Sequence, residues 1–151
     1  MKLIDYTEEI LEKSWLWLND PEIKYLTNTP DFTREGQKKW FNSLPENKTY
    51  WVKGLELEGE VIGVVGLKNI DVKKETAEYF GYIGEKKFWG RGLSKSLFDL
   101  VFKVAVHDFK LKTLYLNVIP DNIRAIKAYE KVGFKITGVS KENVMMNLDL
   151  Y

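Results

Sequence analysis

Gly90 and Gly92, separated by Arg91, stand where an alternating apolar segment gives way to a long helical one. Two glycines so spaced let the backbone turn successive N–H groups toward one point, and the first turn of a helix adds unpaired donors and partial positive charge. The junction Glu85 to Lys95 therefore suits an anion such as a diphosphate. Lys86, Lys87, Arg91 and Lys95 stand there against the single Glu85 and add local positive charge. The plain alternative is a glycine pair that only makes a tight strand-to-helix turn. A dinucleotide fingerprint wants a small residue where Lys95 stands and an early βαβ unit, and no Gly-x-x-x-x-Gly-Lys-Ser/Thr run occurs, so those two phosphate motifs are excluded.

A second constellation is Asn122-Ile123-Arg124-Ala125-Ile126-Lys127-Ala128-Tyr129, continuing to Gly133-Phe134. Asn122 can cap a helix, and Tyr129 follows seven positions later, two turns along the same face. Taken alone, Tyr129 reads either as core or as a proton donor. Other chemistry has little to build on. The chain has no cysteine and one histidine, His107, which excludes a thiol nucleophile and leaves no histidine cluster for a metal. Ser94 and Ser96 have no partner base.

The 151 residues are read as one domain, 1–151, able to fold without a disulfide or structural metal. A net charge of +1 provides no global field for a phosphate backbone, so no nucleic-acid partner is expected. The start, Met1 to Tyr6, lacks a signal-peptide core, and Val61 to Leu67 is far shorter than the ~20 residues of a spanning helix. No membrane association and a cytoplasmic location are expected.

These residues need elements to position them. Lys2 to Tyr6 reads as a strand, followed by a helix capped at Thr7 with Glu8 and Glu9 in its first turn. Asn19-Asp20-Pro21 breaks that helix, and a second runs from Asp31–Arg34 to Pro45. Thr49 to Leu57 and Val61 to Leu67 flank Glu58-Gly59-Glu60 as a hairpin, and Ala77 to Gly84 adds a third strand. Leu93 to Phe109 is a helix apolar nearly all round. Thr113 to Ile119 is a strand, Asn122 to Val132 a helix ended by Gly133, and Phe134 to Val139 and Asn143 to Leu150 close the chain as strands. The order is β-α-α-β-β-β-α-β-α-β-β, an α/β fold with a mixed sheet. The unit Ala77 to Ile119 favours a right-handed parallel crossover with its ligand at the carboxyl end of the first strand.

Lys87-x-x-Gly90-x-Gly92 before a helix, then a strand, then Asn122-x-x-Ala125-x-x-x-Tyr129-x-x-x-Gly133-Phe134, resembles the acetyl-CoA signature of the GNAT N-acetyltransferase superfamily. The resemblance is strongest from about Ala77 to Gly138, and it departs from the family at the loop's first position, Lys87, where glutamine or arginine is usual.

The resemblance implies a GNAT-like fold with a splayed central strand pair and acetyl-CoA as cosubstrate, with no metal. The amides of Gly90, Arg91, Gly92, Leu93 and Ser94 would hold the diphosphate. The pantetheine arm would lie along Phe80 to Ile83, where that strand and Leu114 to Val118 part. Asn122 would contact the arm or fix the helix that does. Transfer would be direct, from thioester to the primary amine of a small molecule or peptide N-terminus. Polyamines, amino-sugar nucleotides and protein N-termini are the acceptor classes implied, with a homodimer through the closing strands compatible.

A primary amine has a pKa near about 10, so its proton needs an acceptor. Glu78 is the candidate base; Glu56, Glu60 and Asp71 lie near the same end of the meander. A backbone N–H near Tyr82 or Ile83 would face the oxyanion. Tyr129 would protonate the departing thiolate. Trp15, Trp17, Trp40 and Trp51 read as core or as the wall of an acceptor pocket. Retention of both Asn122 and Tyr129 argues against the alternative, a catalytically silent CoA-binding or effector-sensing module.

Overall fold

The computed structural model describes residues 1–151. Its strands are β1 (Lys2–Asp5), β2 (Trp51–Leu57), β3 (Glu60–Asp71), β4 (Thr76–Ile83), β5 (Thr113–Val118), β6 (Lys135–Val139) and β7 (Val144–Asp149). Its helices are α1 (Glu8–Asn19), α2 (Pro21–Leu26), α3 (Arg34–Ser43), α4 (Ser94–Lys103) and α5 (Ile123–Lys131). One mixed sheet holds all seven strands in the order β1-β2-β3-β4-β5-β7-β6. The α/β class and the mixed sheet are as the sequence implies.

The apolar alternation of the central strands feeds two layers. Ala77, Tyr79, Leu114, Leu116 and Met146 pack under Leu97, Phe98 and Val101 of α4, with Ile126 and Tyr129 of α5 against them. On the opposite face, Val52, Val64, Phe80 and Tyr82 lie under Ile10 and Trp17 of α1, Ile23 of α2 and Trp40 of α3. Successive residues of β4 thus serve opposite layers, as the pleat requires. Glu78 and Tyr79 are neighbours in sequence and point to opposite faces.

β4 and β5 run parallel but pair only at Thr76, Ala77 and Glu78 against Thr113, Leu114 and Tyr115. Beyond Glu78 no ladder joins them, which is the expected splay. β4 stays paired to β3 as far as Ile83. The Gly84 N–H donates to Ile62 O at 2.8 Å, and the two-residue alternation of an antiparallel ladder then turns the backbone groups of Tyr82 and Phe80 toward β3. Those of Gly81 and Ile83 face the gap.

Three expectations need correction. Asn19-Asp20-Pro21 does end α1, but the Asp20 carboxylate accepts from the N–H groups of Glu22 and Ile23 at 3.0 and 3.2 Å, and Pro21 opens the extra helix α2. Proline cannot continue a helix yet suits its first position. The segment expected as one helix to Phe109 is α-helical only to Lys103, and Val104–Asp108 form a wider π-type turn. Thr7 precedes α1 without a side-chain capping bond, whereas Thr33 accepts from the Gly36 N–H at 3.0 Å.

Candidate active site

The gap between β4 and β5 opens toward the loop that carries Gly90 and Gly92. These have φ of +73° and +69°, left-handed values that favour glycine. A Cβ at either would meet nothing within 4 Å, so the backbone there is bare. Leu93 precedes α4 without a side-chain capping bond, and the first turn from Ser94 holds no acidic residue. The N–H groups of this turn are thus left for an outside anion.

Less free positive charge surrounds the loop than the sequence suggests. Lys86 lies 3.0 Å from both Asp20 and Glu22, Lys87 2.9 Å from Glu60, and Lys95 3.3 Å from Asp99. Lys87 is drawn outward to the β2–β3 hairpin, away from the glycines. Among the four basic residues Arg91 alone is without a carboxylate partner, and its guanidinium sits 5.0 Å from the Phe88 ring centre. Backbone donors and Arg91 are what the loop leaves unpaired for an anion.

Trp89 holds this loop. Its indole N–H donates to Ile83 O at 2.7 Å, on a carbonyl that faces the gap. The Arg124 guanidinium, from the first turn of α5, lies 5.2 Å from the Trp89 ring centre, so one side chain joins β4, the loop and α5. Trp17 clamps the strand end from the other layer: a Cβ at Gly84 would come within 2.1 Å of its ring, and its Nε1 donates to Glu85 at 3.2 Å. Trp89→Phe keeps the ring and removes the donor. It should weaken acetyl-CoA binding about 2- to 10-fold by calorimetric titration, the value of one net hydrogen bond; unchanged affinity would show that the bond does not hold the loop.

Asn122 accepts from the Ala125 N–H at 3.2 Å and donates to Leu26 O at 3.3 Å. Both ends of its amide are engaged, so it fixes α5 against α2. The Tyr25 hydroxyl also donates to Asp121, making α2 the brace of the α5 N-terminus. Two turns on, Tyr129 packs against Phe98, Phe134 and Tyr79 with ring centres 5.7, 5.9 and 6.1 Å away. Burial pushes its phenol up to about 12.

On the other face, Glu78 belongs to the last β4–β5 pair. Its carboxylate accepts from Asn69 at 3.1 Å and from Asn117 of β5 at 3.5 Å, with Lys68 at 3.8 Å. The competing carboxylates lie elsewhere. Glu56 pairs with Lys2 at the sheet edge, Glu60 with Lys87, and Asp71 accepts from the N–H groups of Lys73 and Lys74. Alternation also removes the Tyr82 N–H from the gap, leaving Ile83 and adding Gly81. Leu93 and Ser94 stand at the helix start as expected.

Of the tryptophans expected to line an acceptor pocket, Trp15 packs on Phe32 under Arg34, and Trp51 on Phe109. Trp40 instead meets Tyr50 at 5.7 Å, and Tyr50 meets Phe80 at 5.5 Å, a run that leads to Glu78. Tyr50, Trp89, Asn117 and the Phe80 ring, as distinct from its backbone, were not legible as neighbours of the site. Aromatics in strands look like core, and only strand register sets Asn117 beside Glu78.

The sheet thus parts after three pairs, with a bare glycine loop at its mouth. The family model described as "Acetyltransferase (GNAT) family" matches residues 6–134. The chain belongs to that family. It is 27% identical over 121 residues to a probable N-acetyltransferase YjcK of Bacillus subtilis, covering 77% of this chain and 67% of the relative. It is 26% identical over 145 residues to acetyltransferase PseH of Campylobacter jejuni, covering 94% and 89%. The fold superposes on spermidine N-acetyltransferase from Vibrio cholerae, solved with CoA and spermine, with a TM-score of 0.88 at 19% identity, covering 99% and 95%. The protein is an N-acetyltransferase with acetyl-CoA as its donor, as the signature implied. No helix is long and apolar enough to cross a membrane.

Proposed function

We propose that the chain transfers acetyl directly from acetyl-CoA to the primary amine of a small molecule, which enters from the α1–α3 face. One observation carries this reading: Tyr129 and Glu78 lie on opposite faces of the sheet at the point where the β4–β5 ladder ends. A donor held on one side of the opening and an amine on the other would meet there. The bare loop fits the diphosphate, and the gap-facing Gly81 backbone and Ile83 N–H fit the pantetheine arm, the Ile83 carbonyl being taken by Trp89.

Acetyl-CoA supplies an activated acyl carbon and a thiolate leaving group. Glu78, directly or through water, takes the amine proton as the C–N bond forms. The gap-facing N–H of Gly81 or Ile83 faces the developing oxyanion. Tyr129 gives its proton to sulfur as the C–S bond breaks, with the electron pair leaving on sulfur.

The Lys68 ammonium lies 5.8 Å from the Phe80 ring centre and 3.8 Å from Glu78, which supports an alkylammonium acceptor at that pair. A polyamine or an amino sugar is the proposed acceptor, the polyamine in keeping with the names of the relatives. A cytoplasmic location and pairing of two copies at the open β6 edge belong to the same proposal.

Acetyl-CoA at 100 times its Kd should stabilise the fold by about 2.7 kcal/mol. That is a rise in melting temperature on the order of 5 to 11 °C for a chain of this size. No shift would overturn the reading. Free CoA should then appear with spermidine or a nucleotide-linked amino sugar; binding without release on any amine, peptide N-termini included, would favour a silent CoA-binding module.

A further inference from the structure

We propose that the Tyr79 hydroxyl is a second phenol donor to the thioester sulfur, working beside Tyr129. The inference rests on the acetyl-CoA reading above and adds a residue to it. Tyr79 points into the α4–α5 layer with its residue surface 5% exposed, and its ring centre lies 4.8 Å from Phe98 and 6.1 Å from Tyr129, edge to face with the latter at 76°. A phenylalanine would fill that apolar space without a hydroxyl to desolvate.

The position of the hydroxyl supplies the reason for a phenol. No protein group hydrogen-bonds it, yet no side-chain polar atom of the molecule is sealed away without a partner. The hydroxyl is therefore not fully sealed from solvent. It lies against β4 at Gly81, where a Cβ would stand 2.5 Å from the oxygen. Gly81 is one of the two residues whose backbone faces the gap, so the hydroxyl sits in the wall along which the pantetheine arm would run. A side chain at position 81 would displace it.

Burial holds Tyr79 well above the ordinary phenol value, and a charge on Tyr129 raises it further. Both phenols are therefore neutral near pH 7, and the pair ionises one at a time. In the step, one phenol O–H bond breaks as the S–H bond forms, the pair from the C–S bond remains on sulfur, and water in the cleft reprotonates the phenolate. The other phenol stays protonated and keeps its hydrogen bond to the sulfur, so neither oxygen is charged without a neighbouring donor.

The test uses CoA itself and needs no acceptor. A thiol like that of cysteine ionises near about 8.5, so CoA is mainly thiol at pH 7 and mainly thiolate at pH 9.5, while both phenols stay protonated. A hydrogen bond to a charged group is worth more than one to a neutral group. The ratio of CoA affinity at pH 9.5 to that at pH 7, measured by calorimetry, should fall about 5-fold in Tyr79→Phe relative to wild type. A ratio unchanged in a Tyr79→Phe protein with wild-type melting overturns the proposal and leaves the acetyl-CoA reading standing. Failure of wild type to bind CoA at either pH removes that reading and this one with it.

Discussion

Tyr129→Phe should lower the turnover number about 10- to 10⁴-fold and leave the acetyl-CoA dissociation constant within about 2-fold. The expectation follows from position. Phe98, Phe134 and Tyr79 pack around the ring, and a phenylalanine keeps those contacts, so the substitution removes only the Tyr129 hydroxyl, the principal of the two proposed donors to sulfur. The pH profile separates this role from a packing one. Burial holds Tyr129 at about 12, and the active form is the acid, so its contribution is complete below that value and lost only as pH rises through it. Turnover should climb from pH 7 toward the pKa of the acceptor amine, near about 10, with no fall from Tyr129 in that span. The Phe variant should show the same climb at a lower level. Wild-type turnover in the variant would remove Tyr129 from the chemistry.

Phe98→Ala should cost about 3 to 5 kcal/mol of stability, the usual range for deleting a buried phenyl ring. Phe98 is 2% exposed and is the ring on which the layer converges, with Tyr79, Phe102, Tyr129 and Phe134 centred 4.8, 5.4, 5.7 and 5.8 Å away. The melting temperature should fall on the order of 6 to 20 °C, and urea unfolding at 25 °C gives the free energy directly. The effect reaches function because the same cluster fixes the Tyr129 ring, so turnover should drop below saturation effects even where the protein is still folded. A loss under about 1 kcal/mol would mean that the layer repacks around the vacancy.

Much of this arrangement was readable before the structure, and the reasons differ by element. The hairpin Trp51–Leu57 with Glu60–Asp71 announces itself through alternation and Glu58-Gly59, and the helix periods at Leu97 and Phe98 and at Ile126 and Tyr129 mark the α4–α5 layer. Helix α2 was missed because Pro21 was read as a breaker, when Asp20 before it supplies the cap that turns the same proline into a first helical residue. That helix matters to the site, since it braces Asn122.

The charge inventory around the glycine loop misled for another reason. Sequence shows Lys86 and Lys87, but not the distant carboxylates of Asp20, Glu22 and Glu60 that engage them, whereas Asp99 four positions after Lys95 is a local helical pair. Contacts across 27 or more positions, such as Lys87 with Glu60, have no local signal. The placement of Glu78, rather than Glu56, Glu60 or Asp71, beside the end of the β4–β5 ladder is likewise a matter of register. The gap-facing set, Gly81 and Ile83 rather than Tyr82, follows from which residues pair with β3.

The most direct measurement is a crystal structure of the protein with CoA. The diphosphate should lie on the amides from Gly90 to Ser94, the arm should run between β4 and β5 against Gly81 and Ile83, and the sulfur should be within hydrogen-bonding distance of the Tyr129 hydroxyl. CoA bound anywhere else, or a cleft still closed by side chains with the nucleotide turned out to solvent, would contradict the account.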